Sequence, residues 1–251
     1  MSIWTLQLLG QFQVKNYAGV IQSFRTQKTA KLLAFLVYFY KTRHSREQLV
    51  DMLWPENSPE NGRNSLRVSL HSLRQKLSTS QDEIIISNGD TVQINAQYFI
   101  TDTWQISTLL NEAKNYTDSR QRLKILEKVV QRDYGTFLSQ YDDDWIMPER
   151  HYWQTIYLDT LHQLVDSCLE LNELTAASAY AHLAVKADSY AEQAHADLIR
   201  TYMAMGRPIA ARSQYQELKR IFQQELNLPI SDFIRDIAKQ FGLCNGYMTL
   251  L

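Results

Sequence analysis

The hydrophobic pattern changes its period twice within the first hundred residues, and this order limits the fold more than any other feature. Apolar residues alternate in the first fifteen positions, which predicts strands with one buried face: Trp4, Leu6, Leu8, Phe12 and Val14. A further strand is expected over 20–24, after a turn at Gly19. Helical patterning follows until an Asn-Gly pair at 88–89, which lies between two short β-branched runs and predicts a hairpin with a type I′ turn.

Three helices are predicted between these strands. Residues 28–40 are rich in Ala, Leu and Phe, so they should form a mostly buried helix. Ser45 to Gln48 has the form of a capping box, and the helix that it opens is stopped by Pro55. Ser58-Pro59 places a capping serine before a proline at the first helical position. This third helix should run to about Ser78.

Strands, three helices and a closing hairpin predict a winged helix-turn-helix over residues 1–100. From residue 101 to 251 the pattern is almost entirely helical, with a period of 34 residues that aligns Asn172 with Gly206 and Ala177 with Ala211. The fold class expected is therefore mainly α: an α+β winged helix-turn-helix followed by an all-α, tetratricopeptide-like helical domain. A generic helical bundle is the alternative. Because two repeats are too few for a free-standing stack, flanking helices should complete it at about 103–115, 119–132, 148–160 and 231–241.

The third predicted helix has two faces of opposite character. At about 100° per residue, four leucines form one stripe, which should face the core: Leu66, Leu70, Leu73 and Leu77. The opposite face collects polar and basic side chains together with one valine: Arg63, Asn64, Arg67, Val68, His71, Arg74 and Gln75. Arg pairs with guanine, Asn and Gln pair with adenine, and an apolar side chain can contact a thymine methyl group. A solvated helix face is the alternative, but 61–80 contains no acid, so the pattern favours insertion into the DNA major groove.

Basic residues near the ends of the first two predicted helices are suited to phosphate contacts, which give affinity without sequence choice: Arg25, Lys28, Lys31, Arg43 and Arg46. The wing tip at 88–91 has no Arg, so strong minor-groove recognition is not expected from it. Charge is divided accordingly: residues 1–100 carry a formal charge of +4 and the remaining residues −5, within a total of −1.

Composition narrows the remaining functional classes. No cationic, apolar leader is visible, and the most apolar run, 32–40, is far shorter than the roughly 20 residues of a membrane span, so the cytoplasm is the expected compartment and no membrane partner is expected. Cys168 and Cys244 fit neither a metal site nor a disulfide framework. Asp142–Asp144 near Glu149 and His151 is best interpreted as a solvated acidic loop. No catalytic, metal or cofactor site is predicted, because no phosphate-binding loop or catalytic triad spacing is present.

Several stretches, in this order and spacing, resemble the SARP family of bacterial regulators, which joins an OmpR-type winged helix to a bacterial transcriptional activator domain. The resemblance covers about residues 3–241. In the first half it is carried by 28–36, 45–54 and 63–77. In the second half it is carried by Trp145 with 149–150, by 206–207 with 210–211 and Tyr215, and by 225–226 with Pro229.

The resemblance implies a sequence-specific transcription regulator, an activator that binds direct repeats in promoter DNA, associates with further copies there and contacts RNA polymerase. It also implies DNA contacts by Arg63, Asn64, Arg67, Val68, His71 and Arg74. One departure is His71-Ser72, where members of the family often carry two arginines. No receiver or ATPase module is present in the sequence, so the resemblance leaves the mode of regulation open.

Two other classes remain as alternatives. One is a helical-repeat scaffold whose winged helix binds protein instead of DNA, and a steep loss of DNA affinity with salt would distinguish the two. The other is an enzyme, which the missing catalytic motifs disfavour.

Overall fold

The computed structural model describes residues 3–21, 23–77, 83–131 and 135–243. Its backbone divides into two compact units, one comprising the chain up to Gln105 together with Gly135–Ile146, and the other comprising the rest. The first unit therefore extends five residues beyond the expected boundary at 100, and it also includes a segment from the second half of the sequence. We call Gly135–Ile146 the return segment.

The first unit contains two small sheets. Strands β1 (Trp4–Gln7), β2 (Gln13–Asn16), β3 (Gly19–Val20) and β7 (Phe99–Thr101) form the order β3-β2-β1-β7, in which only the β1–β7 pair is parallel. Strands β4 (His44–Ser45), β6 (Thr91–Ile94) and β5 (Ile85–Asn88) form an antiparallel sheet in the order β4-β6-β5. The early strands are confirmed, although β3 ends at Val20 and does not reach Phe24.

The hairpin of β5 and β6 is the predicted wing, but its turn lies one residue later than expected. Asn88 pairs with Thr91, so the two loop residues are Gly89 and Asp90. Gly89 has φ +54°, whereas Asp90 is not among the described residues with positive φ. A type I′ turn needs positive φ at both loop residues, so the prediction of that turn type was wrong. Glycine in the first loop position is typical of a type II′ turn.

Three helices lie between the strands, at the predicted places: α1 (Gln27–Tyr38), α2 (Arg46–Leu53) and α3 (Pro59–Leu77). The Ser45 hydroxyl accepts a hydrogen bond from the backbone N–H of Gln48 at 3.4 Å, and Ser58 does the same for Asn61. Both N-terminal caps are therefore confirmed. The expected end of the third helix at Ser78 lies outside the described residues.

The return segment completes the first unit. Its backbone pairs with the β1–β2 turn, where Leu138 N–H donates to the Leu8 carbonyl at 2.8 Å and Gly10 N–H donates to the Thr136 carbonyl at 3.0 Å. A Cβ on Gly135 would lie 2.5 Å from Gly10 Cα, so only glycine permits this approach. Phe137 is 1% exposed. Nothing in the local pattern of the sequence predicted this long-range contact.

The second unit is built almost entirely of helices. They are α4 (Asp102–Lys114, which begins in the first unit), α5 (Ser119–Val130), α6 (Ile146–Glu170), α7 (Leu174–Ala187), α8 (Glu192–Ala204), α9 (Pro208–Arg220), a π-helical turn (Ile221–Glu225) and α10 (Asp232–Gln240). Asn172 and Gly206, 34 residues apart, have φ +58° and +68° and end equivalent helices, so the repeat is real in the backbone. The helix expected over 148–160 is the first part of the longer α6.

Small side chains line the contacts between paired helices of the second unit. Ala177, Ala181 and Ala211 are all 0% exposed, and this allows close approach of the helices as the period of 34 residues predicted. Cys168 is buried, which raises the pKa of its thiol to about 11. Cys244 lies outside the described residues. Among the helices of the described ranges, none combines the length and the apolar character needed to cross a membrane.

Candidate DNA interface

Helix α3 is fixed in the first unit by its leucine stripe. Leu66, Leu70, Leu73 and Leu77 are each at most 1% exposed, as the helical periodicity predicted. A Cβ on Gly62 would lie 2.3 Å from Val50 Cγ1, so this glycine allows α2 and α3 to pack closely. On the side facing α1, the Thr29 hydroxyl donates to Ser69 Oγ at 3.2 Å in the core. Helix α3 is therefore fixed by its contacts with the core, with α2 and with α1.

The opposite face of α3 is open to solvent. Five of the seven residues predicted to face DNA are exposed: Arg63, Asn64, Arg67, His71 and Gln75. Val68 and Arg74 are half-buried. Arg67 donates to the Asn64 side-chain oxygen at 2.9 Å, which holds both groups one turn apart on the surface. Four of these exposed residues are suited to hydrogen bonds with base edges, along one helix of 19 residues: Asn64, Arg67, His71 and Gln75.

Arg74 occupies a different environment from the other predicted contacts. Its guanidinium donates to Ser87 Oγ at 2.6 Å and to the Ile85 carbonyl at 3.3 Å, both on strand β5 of the wing. Burial lowers the pKa of Arg74, and the nearby charge of Arg46 lowers it further. Arg74 therefore joins α3 to the wing through its Nη2 group.

Arg46 makes a similar connection from helix α2. Its Nε donates to the Gly89 carbonyl at 3.2 Å, and its backbone N–H donates to the Asp90 carbonyl at 2.8 Å. The tip of the wing is therefore anchored to the start of α2. Two arginines predicted from the sequence as DNA contacts thus also determine where the wing lies relative to α3.

The remaining cations of the first unit fall into two groups. Arg25 and Arg43 are exposed and make no ion pair with any described residue. Lys28 pairs with Glu56, and this hydrogen bond lowers the pKa of the Glu56 carboxyl. Exposed pairs of this kind contribute little to stability and open easily when a polyanion approaches. Arg63 pairs with Glu47 at 3.1 Å, also on the surface.

Lys31, which was predicted to contact phosphate, is paired with an acid inside the first unit. Its ammonium lies 2.6 Å from Asp143 of the return segment, with both side chains about four-fifths buried, and 5.2 Å from the ring of Tyr141. Asp143 was predicted to lie in a solvated acidic loop, but it is instead the partner of Lys31 in this mostly buried ion pair. The sequence signal for it was weak, because the partner lies more than a hundred residues away.

Comparison with known proteins relates this arrangement to families of regulators. The family model described as "Transcriptional regulatory protein, C terminal" matches residues 24–90. The model described as "Bacterial transcriptional activator domain" matches residues 102–240, more than half of the chain. No curated protein sequence matches the chain.

One solved structure is similar over almost the whole chain. It is described as Mycobacterium tuberculosis EmbR in complex with low affinity phosphopeptide, and it matches with a TM-score of 0.83 at 16% sequence identity. The match covers 99% of this chain and 67% of that protein. At this identity the similarity concerns the fold.

Proposed function

The chain belongs to the SARP-type family of bacterial transcription regulators, and on this premise we propose that it binds promoter DNA in a sequence-specific manner through helix α3. The observation that carries the proposal is the exposed face of Asn64, Arg67, His71 and Gln75, on a helix whose other face is locked in the core. No acid lies between residues 61 and 80 to repel phosphate. An α-helix fits the width of the major groove, where these side chain types distinguish base pairs.

We assign different tasks to the basic and polar residues. Asn64, Arg67, His71 and Gln75 contact base edges, and Val68 packs against a thymine methyl group where the helix is closest to the groove floor. Arg63 lies at the helix N-terminal end and contacts the adjacent backbone or base. The phosphate contacts are made by Arg25, Lys28, Arg43 and Arg46, which set the register of the protein on DNA.

Arg74 receives a changed assignment. Its Nη2 group is engaged with Ser87 and Ile85 of the wing, and we infer that it acts mainly by positioning the wing and not by contacting a base. A residue that positions the wing contributes to affinity for DNA of any sequence, whereas a residue that contacts a base contributes to sequence preference.

The family membership also supports proposals for partners. The protein would act as an activator from direct repeats in promoters, associate with further copies on DNA, and contact RNA polymerase. The acidic balance of the second half of the chain, −5 from residue 101 onward, favours protein contacts over DNA contacts for that half. These activities are those of a binding protein in the cytoplasm, with no enzymatic step.

A scaffold whose winged helix binds protein is the competing function. It predicts weak DNA binding with no sequence preference. The family matches over both halves of the chain favour regulation over this alternative.

The proposal is tested by selecting preferred sites from random double-stranded DNA with the full chain and then measuring affinity by fluorescence anisotropy. Arg67→Ala is expected to cost about 1–3 kcal/mol on the selected site and much less on random DNA, because base contacts carry the preference. Arg207→Ala removes the same charge from an exposed position in the second unit and should change neither affinity. Failure to enrich any sequence, or equal loss from the two substitutions, would refute sequence-specific binding through α3.

A further inference from the structure

A cavity of about 160 Å³ lies within the second unit, between helices α6, α7 and α8. It is lined by residues of this unit alone, and it is about the size of an engineered protein cavity, roughly 150 Å³, that admits benzene. The space is therefore large enough for the aromatic ring of a small organic molecule. None of the functions proposed above uses it.

Part of the cavity lining is apolar. It consists of Leu158 of α6, Ala184 of α7, and Ala191 and Ala194 at the start of α8. The alanines leave the space that larger side chains would fill. An apolar ligand body placed here would remove its surface from water without requiring the helices to move.

The rest of the cavity lining is polar and includes the carboxylates of Asp159 and Asp197. Asp159 is exposed and makes no hydrogen bond or ion pair with any described residue. Asp197 is 1% exposed, and its carboxylate accepts hydrogen bonds from Gln193 at 2.9 Å and pairs with His162 at 2.8 Å. Among the described residues that line the cavity, none is Lys or Arg.

We infer that this cavity binds a small protonated amine with an apolar body. The ammonium group would lie against Asp159, which is paired with no described residue, whereas the carboxylate of Asp197 is already engaged by Arg200 and His162. The apolar body would lie against Leu158 and the alanines. An anion is disfavoured beside Asp159, because that unpaired carboxylate would repel it.

A metal ion is the other ligand that this region suggests, and the contacts disfavour it. Ligand atoms of His162, Asp166 and Asp197 lie within 4.8 Å of one another. However, Arg200 donates to Asp166 at 2.8 Å and to Asp197 at 3.1 Å, so both carboxylates are already neutralised by a fixed cation. A second cation would have to displace these bonds or lie beside the guanidinium charge. The vacant space is in the cavity and not within this cluster.

This site would give the helical unit a means of responding to a small basic metabolite. The inference does not depend on DNA binding, because it rests on the cavity of the second unit alone. It can therefore fail while the proposed regulator function holds, and the reverse is also true.

The test uses the full chain and two probes of equal shape and different charge. Benzylamine is protonated at pH 7 and has eight non-hydrogen atoms, whereas benzyl alcohol is neutral and of the same size. Ligand-observed NMR titration should give a Kd of about 1 mM or tighter for benzylamine, a reasonable efficiency for so small a ligand. Benzyl alcohol is expected to bind at least about tenfold more weakly, because it forms no ion pair with Asp159. Equal affinities, or no binding of benzylamine up to about 20 mM, would overturn the inference.

Two matched substitutions locate the binding. Asp159→Asn should weaken benzylamine about tenfold and leave benzyl alcohol unchanged, since the residue is exposed and its replacement keeps the shape. Asp236→Asn, at an exposed carboxylate that pairs with Lys239 on α10, changes the net charge equally and should affect neither probe. An equal loss from both substitutions would show a general charge effect and contradict a site at Asp159.

Discussion

Basic side chains lie on the surface of both units, but their partners differ. In the first unit Arg25 and Arg43 have no acidic partner among the described residues, and the exposed face of α3 carries no acid. In the second unit most arginines are paired with acids on the same or a neighbouring helix: Arg120–Glu173, Arg122–Glu170, Arg200–Asp166, Arg220–Glu217 and Arg235–Asp232. The first unit therefore presents positive charge that is available to a polyanion, whereas the second unit pairs most of its described arginines with its own acids.

The two units also differ from the two halves of the sequence, because residues from the second half of the sequence belong to the first unit. The return segment lies within the stretch matched by the activator domain family, yet it contributes to the core of the first unit. The Asp102 carboxylate likewise accepts hydrogen bonds from the N–H groups of Leu8 and Leu9, at 2.9 and 2.8 Å. A division of the chain at residue 100 would remove both.

The largest effect is expected from Phe137→Ala, which tests whether the return segment belongs to the first unit. Truncation of a buried Phe costs about 3–5 kcal/mol, and the loss should fall on the first unit. Hydrogen exchange should show reduced protection in β1 and α1, where Tyr38 packs against Phe137 with ring centroids 4.8 Å apart. Phe233→Ala, at a 46% exposed position of α10, is the control and should cost under about 1 kcal/mol. Loss of protection in α8 and α9 instead of α1 would show that the return segment belongs to the second unit, and this would contradict the prediction.

A smaller effect should separate wing positioning from base contact at Arg74. Arg74→Lys keeps the charge but cannot reach Ser87 and Ile85 together, so we expect affinity to fall about 3–10-fold, equally on selected and random DNA. Ser87→Ala removes the same hydrogen bond from the other side. Because the two changes break one interaction, the double variant should be no weaker than Arg74→Lys. Additive losses, or a loss confined to the selected site, would instead indicate that Arg74 contacts a base.

The smallest effect concerns the paired charges of the second unit. The hydrogen bond to Asp197 raises the pKa of His162 above 6.5, with further contributions from the charges of Asp197 and Asp166. The protonated pair therefore stabilises the fold fully below about pH 6.5, and this contribution is lost as the pH rises through the folded-state pKa. Thermal unfolding of His162→Gln should lack that part of the pH dependence. His151→Gln, at an exposed position, should keep it, and the same pH profile for His162→Gln and the unmodified protein would contradict the assignment.

Local patterns in the sequence predicted the elements well because their causes are local. The caps at Ser45 and Ser58, the leucine stripe of α3 and the equivalent turns at Asn172 and Gly206 each depend on residues within a few positions. The wing turn was misplaced by one residue because Asn-Gly and Gly-Asp pairs both allow a two-residue turn, and pairing of β5 with β6 decides between them.

The candidate site was predicted less completely. The exposed face of α3 follows from helical periodicity, but the engagement of Arg74 with Ser87 and of Lys31 with Asp143 requires contacts between distant parts of the chain. Composition made Lys31 look like any other cation near DNA. Only the three-dimensional arrangement distinguishes basic residues that are free from those already paired.

The central claim is that the available positive charge of the first unit binds DNA, and the salt dependence of affinity tests it most directly. For the full chain on its selected site, log Kd is measured against log salt concentration for two triple variants. Arg25→Ala with Lys28→Ala and Arg43→Ala should reduce the magnitude of the slope by about 2–3, since each lost phosphate contact contributes about 0.9. The exposed control set of Lys124→Ala, Lys128→Ala and Arg207→Ala in the second unit should leave the slope unchanged. A flat slope for the unmodified protein, or an equal reduction by the control set, would contradict the account.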